Sequence, residues 1–210
     1  VADGATGTVS FWIRFTGNDN ANQFIFVQDI FLRFSRFEAD HVTANLRKKL
    51  RVLMYSSGID DRVIYTSGTT LELDVWYNVL MSWNTSGTAE VYFNDVLDVP
   101  VAITVASGNI QYDQPMSIGA VSAGSGLVAA DVAEIWFDFT QKIDFTVEAN
   151  RRLFIDAAAK PVFLGDNGEL PTGASPDIYL KGPAATWGTN YGTGGNFTVT
   201  GTFADATTSP

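Results

Sequence analysis

Apolar and polar residues alternate along most of the chain. In residues 8–15, Val9, Phe11, Ile13 and Phe15 alternate with Thr, Ser, Trp and Arg. A period of two puts successive side chains on opposite faces of the backbone, which predicts a half-buried strand. The same pattern predicts further strands at residues 24–27, 30–37, 50–55, 62–66, 76–83, 89–94, 116–122 and 132–139. Many short strands separated by Gly-, Asn- and Ser-rich turns indicate an all-β antiparallel sandwich or barrel.

The segment 132–139 has the clearest alternation, and it predicts one core face and one mixed face. The predicted core face is Ala133, Ile135, Phe137 and Phe139, and the predicted mixed face is Val132, Glu134, Trp136 and Asp138. Every second residue therefore belongs to the core if the strand is regular.

One segment departs from the period of two. Val147, Phe154 and Ala158 are spaced as on one face of a helix, Thr146 is placed as an N-cap, and a proline follows at position 161. We therefore predict one short helix near residues 147–159, packed against the sandwich.

The C-terminal part is rich in Gly, Thr and Pro. Residues 196–203 are a candidate final edge strand, and residues 204–210 have the composition of a tail or linker. Since no break in composition divides the rest, we expect a single domain over residues 1–203.

Composition and charge narrow the range of partners. The formal net charge of −10 disfavours nucleic acid and anionic membranes as partners, because both attract dense Lys and Arg. No apolar run reaches the roughly 20 residues that span a bilayer. The chain has no Cys, so neither disulfides nor thiolate metal sites are expected. It starts at Val1 rather than Met, and we expect it to be processed or cut from a longer chain.

Five motifs occur in one order along the chain. They are Thr-Val-Ser-Phe-Trp-Ile-Arg at 8–14, Trp-Tyr-Asn-Val-Leu-Met-Ser-Trp at 76–83, Val-Tyr-Phe-Asn-Asp at 91–95, Ser-Ile-Gly at 117–119, and the strand at 132–138. In this order they resemble the laminin-G-like domains of the concanavalin A-like lectin/glucanase superfamily. The resemblance implies a two-sheet jelly-roll sandwich with one short helix.

Three later segments, at residues 144–162, 165–173 and 188–195, resemble such domains in phage and prophage structural proteins. This second resemblance implies a virion or another extracellular surface as the location. It also implies other virion proteins as partners, and it leaves a homo-oligomer open.

Glucanases related to this fold carry Glu-x-Asp-x-Glu on their catalytic strand. The corresponding residues here are Glu134-Ile135-Trp136-Phe137-Asp138, so Trp136 replaces the middle carboxylate. A backbone separation of about 13 Å between Glu134 and Asp138 also exceeds what a retaining carboxylate pair needs. His41, the only histidine, has no nucleophile motif to serve. We therefore expect no catalytic residues and a protein that is not an enzyme.

The sequence leaves calcium open and assigns no cofactor. Calcium is common in the wider fold, and loop carboxylates are its usual ligands. The candidates are Asp19, Asp60, Asp61, Asp95 and Asp113. None has the spacing of a known calcium loop, and aspartates in turns also occur without metal.

Sugar recognition needs an aromatic platform beside amides or carboxylates. Three groups have this composition: Trp83 with Asn84, Trp187 with Asn190 and Tyr191, and Trp136 with Glu134. Trp83 falls on the apolar face of its strand, which favours the core, so the other two groups are the candidates. The first hypothesis is thus a binding module for a glycan or a cell-surface receptor. The second is a purely structural capsid-decoration, fibre or tail module, and a glycoside hydrolase ranks third.

Overall fold

The computed structural model of the chain describes residues 1–17, 20–120 and 127–210. The twelve strands of this part are β1 Thr6–Phe15, β2 Gln23–Gln28, β3 Leu32–Arg36, β4 Lys49–Tyr55, β5 Asp61–Thr70, β6 Trp76–Asn84, β7 Thr88–Phe93, β8 Val96–Leu97, β9 Ala102–Val105, β10 Ser117–Ile118, β11 Ala130–Asp138 and β12 Ile178–Leu180. One α-helical turn, α1, spans Glu148–Arg151, and 3-10 turns span Ala44–Leu46 and Ala184–Thr186.

The strands form two antiparallel six-stranded sheets. The first sheet has the order β12-β11-β1-β6-β7-β8, and the second has the order β10-β2-β3-β4-β5-β9. The predicted two-sheet sandwich is confirmed. The end of the predicted strand 116–122 and the turn after it lie outside the described residues, and the strand itself is limited to Ser117–Ile118.

Aromatic rings fill the centre of the space between the sheets. Phe26 on β2 meets Phe11 on β1 and Phe137 on β11, each at a centroid distance of 4.9 Å and nearly edge to face. All three rings are fully buried. Edge-to-face pairs of this kind add about 0.5–1.5 kcal/mol beyond their buried area, so the alternating aromatics of the sequence hold the two sheets together.

The predicted face assignment in β11 is wrong at its start. A bulge shifts the register against β1, so that Ser10 faces Trp136 but Trp12 faces Ala133. Val132 consequently packs towards the inter-sheet core, whereas Ala133 packs on the outer face of the first sheet. One extra residue in a strand puts the residues before it on the faces opposite to those that regular alternation predicts. The sequence pattern did not indicate this bulge.

A second apolar cluster lies on the outer face of the first sheet. Residues 140–169, here called the covering segment, contribute Phe145, Phe154, Ile155 and Leu164 to it. The sheet contributes Trp12, Leu80, Tyr92, Trp136 and Tyr179. The first sheet is therefore buried on both faces, while the outer face of the second sheet carries neither of the apolar clusters found in the described residues.

The predicted helix at 147–159 is only one turn long. Val147, not Thr146, is its N-cap residue, because the Thr146 amide and hydroxyl both donate to Asp144 Oδ1. Asp156 ends any helical continuation: its Oδ1 accepts from the amides of Ala158 and Lys160, which closes a turn. Such side-chain-to-backbone bonds compete with helix formation.

The predicted edge strand at 196–203 is absent, since the described backbone there is irregular. The Phe197 amide donates to the Gly188 carbonyl in a loop contact, and β12 ends the first sheet instead. Beyond it, Asp205 accepts from the Ala184 amide and Thr208 accepts from Trp76 Nε1. The domain boundary at 203 stays a prediction. None of the helices in the described residues is long and apolar enough to cross a membrane.

Candidate ligand-binding site at the bulge in β11

Glu134 occupies the bulge of β11. Its φ of 47° lies in the left-handed region, where a residue with a Cβ is strained. Bulges redirect side chains, and strained backbone is often found at binding and catalytic sites. Here the bulge aims the carboxylate at β12, the neighbouring strand.

Tyr179 on β12 holds the redirected carboxylate. Its hydroxyl donates to Glu134 Oε2 over 2.7 Å. Burial raises the pKa of Glu134, while the hydrogen bond from Tyr179 and the charge of Lys181 oppose the rise. Burial also raises the pKa of Tyr179, and the Glu134 carboxylate adds to the increase. The phenol therefore stays protonated and acts as a donor at neutral pH.

Lys181 sits among three aromatic rings beside this pair. Its ammonium lies 5.0 Å from the ring centroid of Tyr179, 5.1 Å from that of Tyr191 and 5.5 Å from that of Phe163. The ammonium also donates to the Gly165 carbonyl over 3.0 Å. Cation–π contacts of this type orient the side chain and the rings relative to one another.

Phe163 brings an accessible apolar surface to the group, since 64% of this residue is exposed. The five residues that we call the Glu134 site are Glu134, Phe163, Tyr179, Lys181 and Tyr191. They place an open aromatic ring near a carboxylate acceptor and an ammonium donor. A flat ring covers the apolar face of a sugar, and charged groups bind its hydroxyls.

The predicted residues are partly brought together here. Glu134 and Tyr191 belong to the same site, where Tyr179 lies between them, 6.5 Å from the ring of Tyr191. Phe163, Tyr179 and Lys181 were missed, because they follow Glu134 by many positions and come from the covering segment, from β12 and from the residue after it. A signal existed in the apolar stretch Ile178-Tyr179-Leu180, where alternation sends Tyr179 to the outer face.

Trp136 is not an exposed platform, so this prediction is corrected. The residue is fully buried, its Nε1 donates to the Gly168 carbonyl over 2.8 Å, and its ring packs 5.3 Å from Phe154. The covering segment hides it, and no sugar can stack on it while that segment is in place.

Trp187 lies apart from the Glu134 site in its contacts, whereas Asn190 touches the site through the backbone of Tyr179. Asn190 is buried: its Oδ1 accepts from the amides of Tyr179 and Gly192, and its Nδ2 donates to the Asp177 carbonyl. It thus fixes the loop after β12. Trp187 is half-buried against the inter-sheet core and lines a groove together with Phe197 and Val199. Its role in binding stays a prediction.

Glu134 and Asp138 on β11 do not act as a pair. Asp138 accepts from the Thr140 amide and hydroxyl, whereas the partner of Glu134 is Tyr179. A glycosidase needs two carboxyl groups that flank one bond. His41 is likewise held locally, where its ring packs on Phe37 and its Nδ1 accepts from the Thr43 amide.

Three of the five calcium candidates have other partners, and Asp61 is exposed at the start of β5. Asp95 binds Arg151 and Arg152, Asp60 binds Arg62, and Asp113 accepts from the side-chain amides of Gln111 and Gln114. Asp19 lies outside the described residues. Within the described ranges, no group of three or more His, Asp or Glu side chains is arranged to hold a metal ion.

Comparisons with solved structures agree with the fold. A Bacteroides ovatus protein to which carbohydrate binding has been ascribed matches with a TM-score of 0.61 and 13% identity, over 86% of this chain and 46% of that chain. The chain therefore spans about half the length of that relative. A heptameric SAP-like pentraxin of Limulus polyphemus matches with a TM-score of 0.46 and 14% identity, over 69% and 68% of the two chains. The binding domain of botulinum neurotoxin serotype D gives 0.48 and 14%, over 77% and 40%.

No curated protein sequence matches the chain significantly. The laminin-G-type family described as the concanavalin A-like lectin/glucanases superfamily matches residues 1–137, which is more than half of the 210 residues. This match covers β1 to β10 and β11 up to residue 137, including the bulge at Glu134, and it confirms the resemblance of the five ordered motifs. The chain belongs to the concanavalin A-like lectin/glucanases superfamily.

Proposed function

We propose that the chain is a non-catalytic binding module that recognises a glycan at the Glu134 site. The observation that carries this proposal is the carboxylate of Glu134, which a strained bulge turns towards Tyr179 next to Lys181 and the open ring of Phe163. Strain of this kind costs about 1–3 kcal/mol and persists where it serves a site.

The chemistry of the site suits a pyranose ring. Phe163 offers a ring face for axial C–H groups, while Glu134 accepts hydrogen bonds from vicinal hydroxyls and Lys181 donates to a ring substituent. The fold similarity to the Bacteroides ovatus protein, to which carbohydrate binding has been ascribed, supports the same class of ligand.

A virion or extracellular surface remains the proposed setting. It rests on the resemblance of the segments at residues 144–162, 165–173 and 188–195 to domains in phage and prophage structural proteins. In that setting the glycan belongs to a cell-surface receptor. The second candidate is a purely structural module that contacts other virion proteins, and the large covered apolar surface of the first sheet suits a rigid building block.

A glycan array followed by calorimetric titration tests the proposal. Phe163→Ala and Glu134→Gln should each weaken binding of the selected glycan at least tenfold, because one removes the platform and the other removes the charge. Val42→Ala is the matched control, since Val42 is exposed and lies in the loop between β3 and β4 of the other sheet. Full affinity in both site variants contradicts the Glu134 site.

The same experiment separates the alternatives. Binding that Trp187→Ala abolishes while Phe163→Ala leaves it intact moves the site to the groove at Trp187. No glycan binding, together with assembly onto other virion proteins, supports the structural module. Release of reducing ends from a polysaccharide, lost in Glu134→Gln, shows an enzyme instead.

A further inference from the structure

One edge of the sandwich exposes a continuous apolar strip. Here β8 ends the first sheet and β9 ends the second, and residues 98–101 connect them. The strip consists of Val96, Leu97, Val99, Val101 and Ile103, each between 42% and 79% exposed. Exposed apolar residues that adjoin one another mark interaction sites in soluble proteins, whereas scattered ones do not.

Two of these side chains are directed towards the core and yet remain exposed. Val96 pairs with Phe93, and Ile103 pairs with Tyr65, and both partners belong to the inter-sheet core. Val96 and Ile103 therefore project into the gap between the two sheet edges. A covering partner would extend the core at this place.

The only charged residue in the segment that carries the strip is turned inward. Residues 96–107 contain a single charge, Asp98. Its carboxylate accepts from the Tyr65 hydroxyl at 2.6 Å, the Gly68 amide at 2.8 Å, the Thr69 amide at 2.7 Å and the Thr69 hydroxyl at 2.6 Å. Sheet edges are usually protected by outward charges, and this edge presents none.

Among the described residues, β9 pairs with a strand on one side only. It pairs antiparallel with β5, and the Ala106 amide donates to the Arg62 carbonyl. Inward and outward bonding alternates along an antiparallel strand. The amides and carbonyls of Ile103 and Val105 therefore point away from β5, towards the open edge.

We propose that this edge binds a second copy of the chain through antiparallel pairing of β9 with its counterpart, about a two-fold axis at Thr104. In this register Ile103 of each copy faces Val105 of the other, and their outward amides and carbonyls bond reciprocally. Two-fold pairing matches a self-complementary strip. Two chains of net charge −10 also repel one another least where they meet at an uncharged surface.

Sedimentation velocity over a range of protein concentrations tests the pairing. The unaltered chain should form a dimer that strengthens with added salt, because salt screens the repulsion between the copies. Ile103→Lys should weaken the dimer at least tenfold, since it buries a charge at the contact. Val42→Lys adds the same charge at an exposed valine in the loop between β3 and β4, and should leave the dimer intact.

A single introduced cysteine tests the register, because the chain has none of its own. Opposed residues in a pair without direct backbone bonds have Cα atoms about 4.5 Å apart, within reach of a disulfide. Thr104→Cys should form a covalent dimer on mild oxidation. Ser107→Cys is the matched control: it is exposed on the same segment, but in this register its two copies lie about 20 Å apart.

Dimers that Ile103→Lys disrupts, with cross-linking at 104 and not at 107, support the proposal. A chain that stays monomeric at every concentration overturns it, as does a dimer unaffected by Ile103→Lys. Equal cross-linking at both positions also overturns it, because it reflects random collision rather than a fixed register.

Discussion

The two sheets of the sandwich differ in how their outer faces are used. The first sheet is covered by residues 140–169, which bury a second apolar cluster against it, while the outer face of the second sheet carries no such cluster in the part of the chain that the structure describes. Their charges differ as well. The strands of the first sheet carry Glu90, Asp131, Glu134 and Asp138 against Arg14, and the strands of the second carry Arg33, Arg36, Lys49, Arg51 and Arg62 against Asp61.

Covering a sheet lets it hold polar groups that an open face would expose to water. Thr8 is fully buried in β1, where its hydroxyl donates to the Gln141 carbonyl and accepts from the Ile143 amide of the covering segment. A buried polar group costs little only when it is bonded. The candidate site lies on the covered sheet, where a bulge, the Glu134 carboxylate and residues of the covering segment meet.

The largest loss of stability is expected on the covered side of the first sheet, and a matched substitution on the open face of the second sheet should cost less. Phe154 is buried in the covering segment, and its ring lies 5.3 Å from Trp136 and 5.8 Å from Phe145. Phe154→Ala should lower the free energy of unfolding by about 3–5 kcal/mol, as for other buried aromatics. Ile64→Ala, at a half-buried position on the open face, should cost about 1 kcal/mol. Equal costs in urea denaturation would show that the covering segment unfolds independently.

A smaller loss is expected where the edge strand β12 is anchored. Asn190→Ala leaves the amides of Tyr179 and Gly192 without their acceptor, while the Asp177 carbonyl keeps the Gly194 amide as a donor. Unsatisfied buried groups cost about 1–3 kcal/mol, so we expect about 2 kcal/mol in thermal or urea unfolding. Asn45→Ala, at an exposed asparagine, is the control and should be near neutral. A neutral Asn190→Ala would mean that the loop after β12 does not need its anchor.

Charge also ties the covering segment to the first sheet, through the turn between β7 and β8. Burial alone would raise the pKa of Asp95, but hydrogen bonds from Arg152 and Arg151 lower it overall. Asp95→Asn should cost about 1 kcal/mol at neutral pH, a modest value because the pair is near the surface. Asn is chosen because it tolerates the positive φ of 68° at this position.

The pH dependence of this cost has a defined sign. A carboxylate with a lowered folded-state pKa stabilises the fold above its unfolded pKa, and the contribution disappears as the pH falls through the folded value. The difference between the unaltered chain and Asp95→Asn should therefore vanish in acid. A difference that persists at low pH would contradict the ion pairs with Arg151 and Arg152.

The open sheet was the easier one to predict from sequence. In its strands β3, β4 and β5 the core residues occupy every second position: Leu32 and Phe34, then Leu50, Val52 and Met54, then Val63 and Tyr65. In β11 both faces are buried, so apolar residues occupy both and the bulge leaves no trace in the pattern. The strand β8 was missed because it has two residues, and the helix near 147–159 was overpredicted because Asp156 closes a turn.

The candidate site was predictable only in part, for the same reason. Glu134 and Tyr191 were chosen for their chemistry, and both lie in the Glu134 site. Trp136 was chosen for the same reason but is buried, since alternation cannot reveal a second layer over a sheet. Phe163 and Lys181 reach the site through tertiary packing, for which a single sequence gives no local signal.

The smallest change in stability is expected from the carboxylate at the bulge, Glu134. Burial raises the pKa of Glu134 above the usual value of 4.5, so folding disfavours its charged form. A group with a raised folded-state pKa stabilises the fold below its unfolded pKa, and this contribution is lost as the pH rises through the folded value. Glu134→Gln does not titrate, and its stability relative to the unaltered chain should increase above pH 4.5 and then level off. Asp177, whose pKa burial also raises, is present in both proteins and cancels.

Urea denaturation at matched pH values measures this difference, and Glu72→Gln at an exposed glutamate serves as the control. If the stability of Glu134→Gln relative to the unaltered chain falls with rising pH, the carboxylate is better solvated or better paired than its contact with Tyr179 implies. The Glu134 carboxylate on the covered sheet would then cost the fold no more stability than a charge on the open sheet. If Glu134→Gln is more stable than the unaltered chain at rising pH but binds the glycan more weakly, the charge at position 134 destabilises the fold and contributes to binding.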